Sequence, residues 1–439
     1  MLKRKMEQIL DNWKKTANHK PLIVKGCRQC GKTYSVVDFA KKNYKNVVYL
    51  NFYENPDYAS VFSGALNVDT IIMLLSALLG DEAVFEAGQT ILILDEIQDC
   101  PDARTALKFF RMDGRFDVIG TGSLLGVKGY GKEPKSIPVG SETVVDMYPL
   151  DFEEFLWANG ISDSVIDMLR KSLESETPVP EALHNRMRQL LLQYTVVGGM
   201  PDAVQTFVDT KQINDVLRIQ RDIVRSYEDD MVKYAEKKDK SHIRECFQSI
   251  PRQLSKENKK FQYSVVKKGA TASKYAGSLQ WIEDAGIISR CRNLSITELP
   301  LDGNAQEDVF KVYMKDCGLF ASMLEDGTQY DILQGNLFGY KGAIFENLIA
   351  DIFAKMGRKL YYFHKDSGLE VDFVMRYKGE CTLVEVKAAT GNTKSTRTIL
   401  GHPEKYHVHS AIKLGDYNVG RFESVLTLPL YLAFLLQET

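Results

Sequence analysis

The chain has 439 residues, too many for one ordinary hydrophobic core, so about two to four domains are expected. Apolar residues make up 44% and charged residues 26%, as in a globular protein, and a net charge of −2 excludes a global field that gathers nucleic acid or membrane; such binding would need a local patch. Seven cysteines are scattered, with only Cys27 and Cys30 close together, which excludes a disulfide framework and points to a reducing compartment, taken as the cytoplasm.

The start, "MLKRKMEQILDNW", is basic but has no apolar core, so no secretion signal is expected there. The first 150 residues alternate strand and helix signals. "PLIVKG" is a strand ending at a glycine, and a helix follows from Lys32 to about Asn43. "NVVYLNF", "TILILDEI", "FDVIGTGS" and "ETVVDMYPL" are further strands, with helices at "DTIIMLLSALL", capped by Asp69, and "ARTALKFFRM". Five buried runs separated by helices predict a parallel α/β sheet covered on both faces. From Asp151 the alternation stops. "DFEEFLWA" opens a helix with a capping box, Asp151 with Glu154, and helical patterns run to about Asp239. Lys237 to Gly269 holds ten Lys/Arg against three Asp/Glu, and "ATASKYAGSLQWIEDAGIISRCRN" then reads helix, turn, strand. That stretch is either a winged helix gripping phosphates or a solvated face, with Tyr275 and Trp281 packing. Beyond about Phe310 the pattern is α+β: a helix at "GAIFENLIADIFAKM" and strands "KLYYFH", "EVDFVMRY" and "CTLVEVKA". "LPLYLAFLL" is too short to span a bilayer and reads as a buried strand or helix.

The stretch "GCRQCGKT" sits between the first strand and helix. Gly26, Cys27, Arg28, Gln29, Cys30, Gly31, Lys32 and Thr33 have the spacing of a loop whose N–H groups cradle the phosphates of ATP. The helix beginning at Lys32 adds its positive dipole end. Lys32 is expected on the β/γ oxygens and Thr33 on Mg²⁺. In "ILILDEIQ", Asp95 ends an apolar strand where it reaches the Mg²⁺ shell, and Glu96 polarises the attacking water. Thr121 or Ser123 in "VIGTGS" would sense the γ-phosphate. Cys27 and Cys30 also have redox-pair or metal spacing, but no second Cys/His pair completes a zinc site.

"GCRQCGKT", "LILDEIQ", "TGSLL", "YPLDFEEFLWA" and "VGGMPDAV" resemble the AAA+-type ATPases of bacteria and archaea that carry a C-terminal domain of unknown function. The resemblance covers most of the chain. It implies a AAA+ core, then helices, a winged helix and a C-terminal domain similar to restriction endonucleases. No arginine finger is evident; Arg104, Arg111 and Arg115 are candidates only.

A second constellation lies near the C-terminus. Glu346 is on a helix, Asp372 on a strand, and Glu385 and Lys387 share one face of the next strand. This is the arrangement of PD-(D/E)xK nucleases. There, Glu346, Asp372 and Glu385 would hold Mg²⁺ while Lys387 steadies the attacking hydroxide. The alternative is a solvated cross-strand pair beside a strand-edge acid. His364, His407 and His409 read as surface or core. The expected organisation is an ATPase core over residues 1–150, a helical region over 151–240, a winged-helix-like segment over 241–305 and a nuclease-like α+β domain over 306–439. The function expected is ATP binding and hydrolysis coupled to a nuclease-like domain acting on DNA, or else an ATP-controlled binding module with a non-catalytic C-terminal domain. The expected cofactors are ATP and Mg²⁺. The expected partners are ATP and DNA, with a homo-oligomer as a further option and no membrane.

Overall fold

The computed structural model describes residues 2–64, 66–123, 140–234, 240–256, 259–336, 341–387 and 394–437. The first region contains α1 (Lys5–Lys15), β1 (Leu22–Lys25), α2 (Lys32–Asn43), β2 (Asn46–Asn51), α3 (Val68–Leu79), β3 (Thr90–Asp95), α4 (Pro101–Asp113), β4 (Asp117–Gly122) and β5 (Thr143–Asp146). All five expected strands form, and they pair in parallel in the order β2-β3-β4-β1-β5, but β5 is an edge strand with Thr143, Val144 and Asp146 exposed and not the buried run expected. The continuous apolar run of β3 follows from burial on both faces. Ile91 and Ile93 join Leu22, Val24 and the inner faces of α1 and α2, while Leu92 and Leu94 join Ile23, Leu50 and the inner faces of α3 and α4. Because β4 lies between β1 and β3, the loop after β1 and the acidic end of β3 emerge along one edge, with the end of β4 between them. The cap of α3 is Asn67, not Asp69: the Asn67 side chain accepts from the Thr70 amide at 2.8 Å. Asp69 sits in the first turn, paired with Arg115.

A helical region follows: α5 (Phe152–Ala158), α6 (Asp163–Glu174), α7 (Glu181–Val197), α8 (Pro201–Thr210) and α9 (Ile213–Tyr234). The capping box at α5 is present, with Asp151 accepting from the Glu154 amide at 2.9 Å and Glu154 from the Asp151 amide at 3.1 Å. Next come α10 (Lys240–Leu254), α11 (Tyr263–Val266), α12 (Ala272–Asp284) and the antiparallel pair β6 (Ile288–Leu294) and β7 (Ala305–Met314). Tyr275 and Trp281 are buried in the core, while Lys237 and Lys238 of the basic stretch lie outside the described residues.

The remainder holds α13 (Cys317–Ser322), α14 (Thr328–Gln334), α15 (Lys341–Lys355), β8 (Leu360–His364), β9 (Glu370–Tyr377), β10 (Glu380–Val386), α16 (Lys394–Leu400), α17 (Pro403–Tyr406), β11 (Ser410–Gly415), β12 (Gly420–Phe422) and β13 (Val425–Pro429). Its strands form one mixed sheet in the order β12-β13-β11-β10-β9-β8-β6-β7. β6 pairs in parallel with β8, so the segment ending in β6 and β7 shares a sheet with the C-terminal strands, and position 305/306 falls at the start of β7. "LPLYLAFLL" finishes β13 and continues as a buried 3₁₀ turn. Among the described residues, no helix is long and apolar enough to cross a membrane.

The two regions meet at a backbone contact that tolerates no side chain. The Leu150 amide donates to the Gly199 carbonyl at 2.7 Å, and a Cβ on Gly199 would lie 1.9 Å from the Leu150 oxygen. Gly277, inside α12, has nothing within 4 Å of its Cβ position. Gly199→Ala should therefore lower stability by at least about 1–3 kcal/mol, the usual cost of overpacking. Gly277→Ala should raise it by about 0.5–1 kcal/mol, because it removes glycine's backbone freedom from a helix interior. Urea unfolding followed by circular dichroism checks the opposite signs; equal midpoints would contradict the contact.

Candidate functional site

The loop between β1 and α2 is shaped by its neighbours as much as by its own residues. Gly26 lies so close to the segment after β5 that a Cβ there would meet the Met147 oxygen at 2.0 Å. Gln29 (φ +62°) and Gly31 (φ +95°) take left-handed backbone angles that turn the chain into α2. Lys32 is buried, with its ammonium on the carbonyls of Gly26 at 3.0 Å and Cys27 at 2.9 Å. Thr33 donates to both carboxylate oxygens of Asp95, at 3.0 and 3.2 Å. Asp95 also accepts from Tyr49 Oη at 2.6 Å and from Thr121. Burial and the Asp95 carboxylate together push the Tyr49 hydroxyl above its ordinary pKa. Glu96 takes φ +51° at the end of β3 and accepts from Gln98 and, at 3.3 Å, from Ser123. Thr121 and Ser123 thus each bond one of the two acids.

Gln29, Gly31, Lys32, Thr33, Tyr49, Asp95 and Glu96 border a cavity of about 760 Å³, lined also by Tyr53, Pro201, Asp202 and Gln205, whereas Gly26, Thr121 and Ser123 stand outside its lining. Its size suits a nucleotide. A hydroxyl beside a carboxylate is a donor set for a hard divalent cation, so Thr33 and Asp95 fit Mg²⁺.

Residues distant in sequence complete the site. Arg4 is buried and forks three ways: Nη1 donates to the Cys30 carbonyl at 3.0 Å, Nη2 to the Tyr148 carbonyl at 2.6 Å and Nε to Glu154 at 3.1 Å. From α9, Tyr227 donates to the Arg28 carbonyl at 3.0 Å and Asp230 pairs with the Arg28 guanidinium at 2.9 Å. Burial raises the Asp230 carboxyl to about 6 against the pull of Arg28, and the charge of Glu96 adds to the rise. Arg4, Tyr49, Tyr227 and Asp230 are missed by sequence reasoning, since nothing local marks them. None of Arg104, Arg111 and Arg115 lines the cavity: Arg104 pairs with Glu142, Arg111 with the Gly140 carbonyl and Arg115 with Asp113 and Asp69.

The C-terminal constellation is assembled differently from the expectation. Glu346, on α15, accepts from Lys311 at 3.0 Å and from Lys259 and Tyr313. Burial would raise its carboxyl, but Lys311 and Lys259 hold it down to about 2. Asp372, on β9, accepts from the Val386 amide at 2.8 Å. Glu385, on β10, accepts from Thr396 at 2.6 Å and pairs with Lys387 at 2.6 Å. The charges of Glu346 and Glu385 act on Asp372, which burial first and those charges second push up to about 7. Among the described residues, no three His, Cys, Asp or Glu side chains gather as a metal site needs. Lysine ammonium groups sit on the oxygens of Glu346 and Lys387 on one oxygen of Glu385, where the expectation placed Mg²⁺.

A parallel sheet carrying this loop and these acids defines a P-loop nucleotide-binding domain. In agreement, an AAA domain model matches residues 18–156. Residues 188–330 match the domain of unknown function DUF8612 and residues 341–431 the domain of unknown function DUF4143. The N-terminal part is thus an AAA-type P-loop ATPase domain, followed by two domains known as families without an assigned activity. Among solved structures, the chain is similar to a Walker-type ATPase of Pyrococcus abyssi, at 14% identity over 74% of this chain and 96% of that one, with a TM-score of 0.42. It is also similar to the Orc1 protein of Aeropyrum pernix in complex with DNA, at 13% identity over 74% and 91%, with a TM-score of 0.29. A third similar structure is the RuvB Holliday junction branch migration motor of Thermotoga maritima, at 13% identity over 66% and 90%, with a TM-score of 0.30. No curated protein matches the chain.

The raised Asp372 carboxyl carries a pH signature. The folded state binds its proton more tightly than the unfolded chain does. Protonation therefore stabilises the fold below about pH 4, and that contribution is lost as pH rises to about 7. Asp372→Asn should gain stability relative to wild type across that window. Unfolding midpoints at pH 4, 5.5 and 7 check this; a constant difference would contradict it.

Proposed function

We propose that the protein binds and hydrolyses ATP and uses the nucleotide to control the arrangement of its helical and C-terminal regions. The observation that carries this reading is the closed set around Asp95: Thr33 and Thr121 on its carboxylate, Glu96 beside it, and the Lys32 ammonium on the loop carbonyls.

Lys32 would exchange its two carbonyl partners for phosphate oxygens, which are stronger acceptors for an ammonium. Mg²⁺ held by Thr33 and Asp95 would supply charge neutralisation on the phosphates. Glu96, oriented by Gln98 and Ser123, takes the proton of the attacking water. Tyr227 and Asp230 bring α9 onto the loop, so the helix after the core meets the nucleotide site directly. In this reading the C-terminal domain is a binding or regulatory module, because lysines neutralise its acids.

A second reading keeps a nuclease-like site acting on DNA. Asp372, Glu385 and Lys387 on adjacent strands favour it, as does the helix-helix-helix-hairpin run from α10 to β7 as a winged-helix module. A homo-oligomer is compatible with either.

Lys32→Ala should weaken ATP binding about tenfold to hundredfold, the worth of one or two charge-assisted hydrogen bonds. Glu96→Gln should keep binding and slow hydrolysis about 10²-fold or more. Calorimetry and phosphate release measure the two. A Lys32→Ala protein that binds and hydrolyses ATP like wild type would sink the proposal. In the same preparations, Mg²⁺-dependent DNA cleavage that Asp372→Ala abolishes would establish the second reading.

A further inference from the structure

Two thiols lie inside the phosphate loop, and nothing in nucleotide binding uses their sulfurs. Cys27 is 6% exposed and Cys30 fully buried, and both are free thiols. Their thiols are near enough to perturb each other, which raises the Cys27 thiol and lowers the Cys30 thiol. Cys30 Sγ also points at the Met147 carbonyl, 3.5 Å away. Positive groups surround the pair: the Arg4 guanidinium on the Cys30 carbonyl, the Lys32 ammonium on the Cys27 carbonyl, and the N-terminus of α2 two residues on. This is an environment that favours thiolate.

The pair also has its own access. Cys27 borders a crevice of about 340 Å³ formed with Ser123, Met147, Gly286 and Lys315, whereas neither cysteine lines the nucleotide cavity. A small oxidant can therefore approach through a crevice separate from the nucleotide cavity.

We propose that Cys27 and Cys30 are a reversible oxidation site for peroxide-class oxidants, and that their disulfide shuts the loop to nucleotide. The second half rests on the nucleotide-binding reading of the loop.

The pair reacts with one proton shared between its sulfurs. That proton moves to Cys30 as Cys27 sulfur attacks the peroxide, breaking the O–O bond and forming a sulfenic acid. The departing hydroxide takes the proton from Cys30 and leaves as water. Cys30 thiolate then attacks Cys27 sulfur, breaking its S–O bond. The second hydroxide takes a proton from solvent. Two thiol sulfurs lose two electrons in all, and one peroxide gains them to give two waters.

Two features give selectivity and consequence. Interaction with Cys27 first, then Lys32 and Arg4, bring the Cys30 thiol down to about 6 against its burial, while the same interaction and burial push Cys27 up. The pair's negative charge rests on Cys30 and passes to Cys27 as the shared proton moves. Burial instead pushes Cys100 up to about 11, and Cys246 and Cys381 up to about 12. A disulfide closes at about 2.05 Å between sulfurs. Closure withdraws Cys30 Sγ from Met147 and constrains Arg28 and Gln29, the loop residues whose N–H directions shape the cradle.

The test treats the full chain with hydrogen peroxide and counts thiols in denaturant. Titratable thiols should fall by two, from seven to five, with peptide masses placing the link at Cys27 and Cys30. Affinity for a fluorescent ATP analogue should fall at least tenfold and return with dithiothreitol. Within Cys27→Ala, and separately within Cys30→Ala, treated and untreated protein should bind alike. Seven thiols after treatment, a link elsewhere, or a link here with unchanged affinity would each overturn the proposal. A reduced protein that binds no nucleotide overturns the phosphate-loop reading and the second half with it, while the thiol count still decides the first.

Discussion

The backbone of residues 147–151 is the constraint on which the rest of the structure depends. The polar groups of this short stretch reach several elements at once. The Met147 carbonyl leaves room only for glycine at Gly26 and receives the Cys30 thiol. The Tyr148 carbonyl takes one arm of Arg4, whose other arms hold the loop at Cys30 and the α5 cap at Glu154. The Leu150 carbonyl accepts from Tyr194 at 2.9 Å and Lys355 at 3.2 Å, and its amide donates to Gly199. Asp151 then caps α5. A buried backbone must place every polar group somewhere. Here the placements join the phosphate loop to α5, α7 and α15 at one point.

That junction explains why the helical and C-terminal regions belong to the nucleotide site. Lys355 is buried at the end of α15, bonded to Leu150 and Tyr194 on one side and to Asp351 at 3.0 Å on the other. The same helix carries Glu346 nearer its start, where Lys259 and Lys311 meet it. Breaking a buried pair by removing one partner typically costs about 3–5 kcal/mol. The bonds of Lys355 to the Leu150 carbonyl and to Tyr194 therefore tie the end of α15 directly to residues 147–151, while Lys259 and Lys311 tie its start to other elements. From the other side, α9 reaches the loop through Tyr227 and Asp230.

The sequence was most legible where one periodicity or one motif decides the outcome. The five strands, α2 from Lys32 to Asn43 and the capping box at α5 all follow from local pattern. The pairing of Asp95 with Thr33 was implied by the loop and the acidic strand end. What local pattern could not supply is tertiary. Arg4 reaches the loop from 26 residues away in sequence and Tyr227 from 199, and Asp230 lies three residues beyond Tyr227. Asp69 was taken for a cap because Asn67 and Asp69 carry similar chemistry two residues apart. The C-terminal acids were visible as residues, but their partners Lys259 and Lys311 lie on other elements. Lys387 was visible beside Glu385, but the ammonium groups on Glu346 come from Lys259 and Lys311, and Asp372 accepts from the Val386 amide instead.

The central claim is that Arg4 positions the phosphate loop from residues 147–151. The direct measurement is the ATP affinity of Arg4→Lys, by calorimetry with Mg²⁺ present. Lysine keeps the charge opposite Glu154 but cannot fork to the Cys30 and Tyr148 carbonyls together. The account predicts a fall of about tenfold, ~1.4 kcal/mol, in a protein whose unfolding midpoint stays near that of wild type. Wild-type affinity in that folded variant would contradict it.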